Sequence, residues 1–439
     1  MTRRYNHNEL ILHHYFIMMK PHYFFALFLL LSRSLHAQED TSERIIDENI
    51  RSAQINPSVP HAVVQLKGGR IDLSFDYVTD EIKDFMYTIV HCNSDWQPSE
   101  LQDNEYIDGF NEDRITDISN SINTLVAYNH YRLTLPNQNM RWTRSGNYIL
   151  KIFDDDDDRR LVLVRRFMVT ENLWKVSATV APIANASKIF SHQEIDFQVV
   201  HEGTIVGNPQ REVKAFIYQN MRYDRVIGPV SPRPFVALRS SLNFDFQDSI
   251  VFPAGKEWRF FDMRIFDYRG NNVKKIERNV NTYQVFLDPQ RDRNEIHGYA
   301  LTGDINGRYS IENRTQGQGF LQCEYANVMF LLARNLPYDD HDVYVVGSMT
   351  DWQLKPEFRM FYAEPSKMYY CNPLLKQGYY NYEFQVVNSA NQIVDPAEDL
   401  EGNWHETENL YSILIYYRPF GERYDRLMVM GGVTSGARN

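Results

Sequence analysis

The chain has 439 residues, with 46 Lys and Arg against 57 Asp and Glu, and a formal net charge of −11. An acidic balance of that size argues against general electrostatic binding to nucleic acid or to an anionic membrane. Hydrophobic residues make up 43%, and 28 Tyr and 26 Phe with recurrent Thr, Val and Ile favour strands, excluding collagen, coiled coil, disulfide knot and disorder.

The first segment reads as an export signal. Lys20 precedes the apolar run Tyr23–Leu31, and Leu35-His36-Ala37 supplies a small residue before Gln38. A positive flank, a short apolar core and a small residue at the cut describe a secretory signal peptide. The run is too short for a bilayer core that needs about twenty residues. Residues 1–37 are therefore assigned to the signal, with Met1–Ile17 too long and polar for an ordinary leader and a start at Met18 or Met19 expected. The mature chain is expected to be soluble and periplasmic.

From residue 38, short alternating runs follow one another: Ala62–Leu66, Ile71–Tyr77, Phe85–Cys92, His130–Leu135, Gly146–Phe153 and Leu161–Val169. Turn residues such as Lys67-Gly68-Gly69 and Pro136-Asn137 separate them, which predicts an antiparallel sandwich over 38–171. The acidic run Asp154–Asp158 lacks the spacing of a calcium loop and reads as a solvated hairpin tip. A second sandwich is predicted over 172–288, from Trp174–Val180, Glu194–His201, Val213–Tyr218, Trp258–Phe266 and Thr282–Leu287. Residues 289–319 read as a linker with one hairpin around Gly307–Ile311. A third sandwich is predicted over 320–439, from Gln322–Ala333, Asp342–Gly347, Met368–Asn372, Tyr379–Val387 and Leu410–Tyr417. Helical periodicity is offered only by Asp40–Ile50. The fold class is thus all-β, three consecutive immunoglobulin-like or fibronectin-like sandwiches behind a signal peptide.

Cys92, Cys323 and Cys371 are too few for a disulfide framework in an oxidising compartment. Cys323 and Cys371 fall in one predicted domain and are open to pairing or to standing as thiols, while Cys92 reads as a buried free thiol.

Motifs that carry chemistry are missing from the sequence. There is no G-x-S-x-G, H-E-x-x-H, C-x-x-C or G-x-x-x-x-G-K-[ST], and neither His201-Glu202 nor His405-Glu406 has a second His one turn on. No enzyme activity, catalytic residue, metal or cofactor is expected. Two stretches stand out instead. His91–Pro98 leaves a strand with Trp96 among polar residues, and Glu105–Asn111 follows with Tyr106, Gly109 and Phe110. The bland reading buries Trp96 and Phe110 on a sandwich edge. The functional reading makes Trp96, Tyr106 and Phe110 a rigid aromatic contact for a protein partner.

The runs Tyr87–Ser99 (YTIVHCNSDWQPS), Glu105–Glu112 (EYIDGFNE) and His130–Asn137 (HYRLTLPN) resemble the plug protein family of the type IX secretion system. Ser145–Tyr148, Arg165–Val169, Phe252–Gly255 and Gly303–Gly307 fit the same family in order. The resemblance implies export to the periplasm, β-sandwich domains, no catalytic residues, and a role in binding and sealing the periplasmic mouth of the outer-membrane translocon barrel. It does not single out contact residues.

The third predicted domain is similar, through Asp342–Trp352 and Gly378–Phe384, to starch- and glycogen-binding immunoglobulin-like modules. There the residue matching Trp352 stacks on a sugar ring, but Gln392 stands where a second Trp is expected before Asp395-Pro396. Trp352 is thus a vestigial sugar-stacking candidate, and an exported carbohydrate-binding protein is the alternative function.

Overall fold

Residue alternation sets the faces of the strands. In Ile71–Tyr77, Ile71, Leu73 and Phe75 are buried while Asp72 and Ser74 reach the edge of solvent, the period-2 pattern of a strand with one face on a core. The computed structural model describes residues 41–56, 62–234, 240–294, 304–315, 319–393 and 400–436. The expected signal peptide, residues 1–37, lies outside them. Ser42–Asn439 forms one compact unit.

The first module is a sandwich. One sheet orders Arg44–Ile45, Arg160–Thr170, Gly146–Asp154, Phe85–Cys92 and Asp113–Arg114, with Val63–Gln65 parallel to Arg160–Thr170. The other orders Ile50–Ile55, Ile71–Tyr77, Asn129–Leu135 and Asp117–Asn120. Between them Phe75 stacks on Tyr131 with centroids 5.1 Å apart, and Phe85 meets both edge-on. Such pairs add to what burial of the rings contributes. The predicted helical stretch Asp40–Ile50 carries the strand Arg44–Ile45 and the first residue of the next instead. Pairing of Arg44 and Ile45 with Val164 and Leu163 outweighs a weak local period. Asp154–Asp158 does form the tip of a hairpin, with Asp154 opposite Arg160.

Beyond the first module the strands cross the boundaries expected from sequence. In the second sandwich, Lys175–Ala181, His192–Val200, Ser241–Phe244 and Val251–Pro253 make one sheet. The facing sheet orders Val226–Val230, Val213–Gln219, Leu410–Tyr417 and Arg426–Thr434. The C-terminal strands assigned to the third domain therefore complete the second, with Val213 opposite Tyr417. Conversely Arg259–Asp262, Val273–Arg278 and Tyr283–Leu287, assigned to the second domain, join the third module's ten-stranded sheet. Tyr309–Ile311, read as part of a linker, pairs with Gly378–Asn388 in that same sheet. The cause is physical: each run alternates equally well, and only non-local partners decide which core it closes.

All three cysteines are buried and outside any disulfide, so the Cys323–Cys371 bridge is absent. Burial pushes the Cys323 thiol up to about 11 and raises that of Cys371 as well.

Candidate partner-contact site and inter-module seams

Trp96 sits in the turn Asn93–Gln97, where its own φ of 65° is left-handed. The turn is closed by Trp96 N–H donating to the Asn93 carbonyl at 3.0 Å and Asn93 N–H to that of Gln97 at 2.9 Å. This geometry turns the indole inward, 6% exposed, into a core shared by the first and second modules. There it meets Tyr223 edge-on at 5.4 Å, and the Arg166 guanidinium lies 4.4 Å from its ring centre. Cys92, Ile149 and Met168 face Phe216, Leu414 and Tyr416 across the same seam. Tyr416 donates to Asn147 Oδ1 at 2.7 Å.

Tyr106 is buried too. Its hydroxyl donates to Asp103 at 2.6 Å and its ring lies 5.6 Å from that of His91. Burial, and then Asp103, raise its hydroxyl far above the ordinary phenol range. His91 is held neutral, pushed down to about 4 by burial, with its ring nitrogens 2.8 Å from Ser99 Oγ and 3.0 Å from the Ser145 carbonyl. Of the three aromatic candidates, only Phe110 faces solvent, 64% exposed, its N–H donating to the Asn139 carbonyl at 2.7 Å. Trp96 and Tyr106 serve the chain's own packing, as the bland reading had it for Trp96; for Phe110 that reading is overturned.

Among the other exposed apolar side chains that sequence reasoning missed, two are the most exposed of the described residues. Phe420, fully exposed, tips the loop between Leu410–Tyr417 and Arg426–Thr434, and Ile205 is 93% exposed on a neighbouring loop. Pro419-Phe420-Gly421 and Gly203-Thr204-Ile205-Val206-Gly207 were the available signals: apolar residues bracketed by turn formers. The base of the Phe420 loop is rigid. Buried Asp425 accepts from Ser94 N–H and Oγ–H at 3.0 and 2.6 Å and pairs with Arg418 at 2.8 Å. Although burial alone would raise it, Ser94, Lys214 and Arg418 hold the Asp425 carboxyl below its usual range. Arg423 pairs with Glu105, so the Phe420 loop touches the segment that leads to Phe110. Tyr417 donates to the Ile205 carbonyl at 3.1 Å.

Trp352 follows Asp351 in a left-handed turn, φ 54° and 59°. Its ring lies 5.3 Å from Trp258, and the Arg222 guanidinium stands 3.9 Å from its centre, fixed by Asp224 at 2.7 Å and Glu383 at 3.0 Å. A buried cation thus occupies one face of the ring that a sugar would need.

The acidic hairpin is an ion-pair lattice. Asp155 pairs with Arg114 at 3.0 Å, Asp157 with Arg160 at 2.6 Å, and Asp154 with Lys83 at 3.9 Å. Among the described residues no group of three His, Cys, Asp or Glu gathers as a metal site. Changing Asp155, Asp156 and Asp157 together to Asn is expected to leave the melting temperature essentially unchanged, because exposed pairs contribute little. Calorimetry with calcium and with chelator checks this; a calcium-dependent rise in wild type that the variant lacks would refute it.

The seam between the first and third modules is charged and buried. Lys376 and Asp76, with side chains 0% and 1% exposed, pair at 2.6 Å. Asp76 also accepts from Tyr325 at 2.7 Å and stands 2.7 Å from His130 Nδ1. The ammonium lies 3.9 Å from the Tyr128 ring centre and 4.5 Å from that of Phe320. Burial alone would raise the Asp76 carboxyl; Lys376 and His130 overcome it and hold it below its ordinary range. A second buried pair, Arg165–Asp351 at 3.1 Å, joins the same two modules.

Fold and seams define the class: an all-β protein whose sandwiches are fastened to one another by buried charge and shared aromatic packing. Residues 48–171 match the type 9 secretion system plug protein 1st domain. A hypothetical protein from Parabacteroides merdae ATCC 43184 has a crystal structure that superposes on 91% of this chain and 100% of its own, at 30% identity and a TM-score of 0.84. No curated protein matches. Through residues 48–171 the chain belongs to the type 9 secretion system plug protein family, which ties it to type 9 secretion and points to a non-catalytic role.

Proposed function

We propose that this chain is a periplasmic, non-enzymatic accessory that binds and seals the periplasmic opening of the type IX outer-membrane translocon barrel. The match of residues 48–171 to the plug protein's first domain carries the reading. The buried seams support it, because a plug has to hold its shape against a channel mouth. A seal that yields to cargo needs a non-obligate contact, with a few aromatic anchors inside a polar rim. Phe110 and Phe420 meet that description: both are exposed and their loops are joined through Arg423–Glu105. Ile205 is exposed as well, its carbonyl held by Tyr417 just before the Phe420 loop.

The Phe110→Ala/Phe420→Ala variant is expected to melt like wild type, since neither ring is buried. It should nonetheless lose copurification with the barrel from native envelopes and let a large antibiotic through the outer membrane. A variant that copurifies and seals like wild type would remove these loops from the contact. Wild-type protein that fractionates without the barrel would remove the plug reading itself.

A further inference from the structure

Where the three modules meet there is a cavity of about 160 Å³. Its wall takes Glu43 and Arg165 from the first module, Tyr223 from the second, and Arg308, Ser348 and Asp351 from the third. Arg165 is fully engaged, by Asp351 at 3.1 Å and by the Val164 and Ala53 carbonyls. Glu43 accepts the Arg166 N–H at 2.9 Å, and burial raises its carboxyl above the ordinary range, which lessens the negative charge on this wall.

Arg308 is placed differently. Its Nε donates to the Ile305 carbonyl at 3.1 Å, and no carboxylate among the described residues pairs with its guanidinium. Burial lowers its pKa with no opposing charge to restore it. Ser348, on the same wall, has a hydroxyl buried without a hydrogen-bond partner. Unmet buried donors are costly, and a guanidinium's planar fork matches carboxylate or phosphate oxygens. An uncompensated cation beside an unmet hydroxyl, in a cavity this small, is complementary to a compact anion.

We propose that the three-module junction binds a small oxyanion, a carboxylate or a phosphate, held by the Arg308 guanidinium and the Ser348 hydroxyl. Residues of all three modules line the cavity, so the bound anion sits at their junction.

The test is the melting temperature of the full mature chain titrated with inorganic phosphate and, separately, with succinate, against sodium chloride at matched ionic strength. A ligand that binds only the folded state raises the transition with its concentration. A saturable rise above chloride is expected in one oxyanion series; phosphate alone assigns a tetrahedral ligand, succinate alone a carboxylate. Arg308→Gln and Ser348→Ala should each weaken the apparent affinity, the first by roughly tenfold or more, as for loss of a charge-assisted hydrogen bond. If neither oxyanion exceeds chloride, or if Arg308→Gln responds as wild type does, the site does not exist. Should Arg308→Gln fail to fold, Ser348→Ala decides: an unchanged response overturns the assignment.

Discussion

Lys376→Met is expected to destabilise the fold by about 3–5 kcal/mol, the usual cost of removing one partner from a buried ion pair. Methionine fits between Tyr128 and Phe320, so the loss comes from Asp76 rather than from a hole. Without the ammonium 2.6 Å away, the carboxylate keeps Tyr325 and His130 but remains desolvated. The pH dependence should reverse accordingly. In the wild type the Asp76 carboxyl is held below its ordinary range, so its stabilising contribution is present above about pH 4 and fades as pH falls through the lower folded value. In Lys376→Met, burial lifts that carboxyl above its unfolded value, so the penalty is full at neutral pH and shrinks as acid protonates it. Urea midpoints at pH 7, 4.5 and 3 check both signs. Asp76→Asn/Lys376→Met should recover part of the loss, since two neutral groups need no mutual compensation. A Lys376→Met variant that unfolds at the wild-type midpoint at pH 7 would show the pair to be energetically idle.

This pair also marks where sequence reasoning ends. Lys376 lies in Leu374-Leu375-Lys376-Gln377-Gly378, a string with no feature that announces a buried lysine. What buries it is the first module's Asp76 strand, 300 residues upstream in the chain. Charges that fasten modules carry no local pattern, so neither Asp76–Lys376 nor Arg165–Asp351 was foreseen. Strands with one face on a core were legible: Ile71–Tyr77 and Phe85–Cys92 fall where alternation puts them. Assigning strands to sandwiches failed wherever partners were distant, because the face of Leu410–Tyr417 looks alike whether it closes the second core or the third.

The orientation of the aromatic candidates was illegible for a related reason. Aromatic content identified the loops but not the direction in which each ring points. In the turn holding Trp96 the left-handed residue is the Trp itself, and nothing in the string Asn93–Gln97 announces that the ring turns inward. Phe110, beside Gly109 with φ 115°, points out. Trp352 shows the same limit: the resemblance to a sugar-binding module located the residue, while Arg222, which covers one face of its ring, comes from another sandwich.

Trp96→Ala is the second large effect. The indole fills the seam between the first and second modules, so truncation is expected to cost about 3–5 kcal/mol through lost burial and the cavity left behind. The Arg166 guanidinium, 4.4 Å from the ring centre, loses its stacking partner as well. A backbone comparison separates packing from conformation. Because residue 96 is left-handed at φ 65°, Trp96→Gly should be more stable than Trp96→Ala by about 1 kcal/mol, the reverse of the ordinary order. Urea midpoints of the three proteins test this, and copurification with the barrel, measured below each variant's transition, tests the functional side. The folded fraction of Trp96→Ala should bind like wild type, since the ring lies inside the chain and Phe110 and Phe420 remain in place. A Trp96→Ala protein as stable as wild type that no longer copurifies would make this indole a partner contact after all, and would mean that the seam opens when the chain engages its partner.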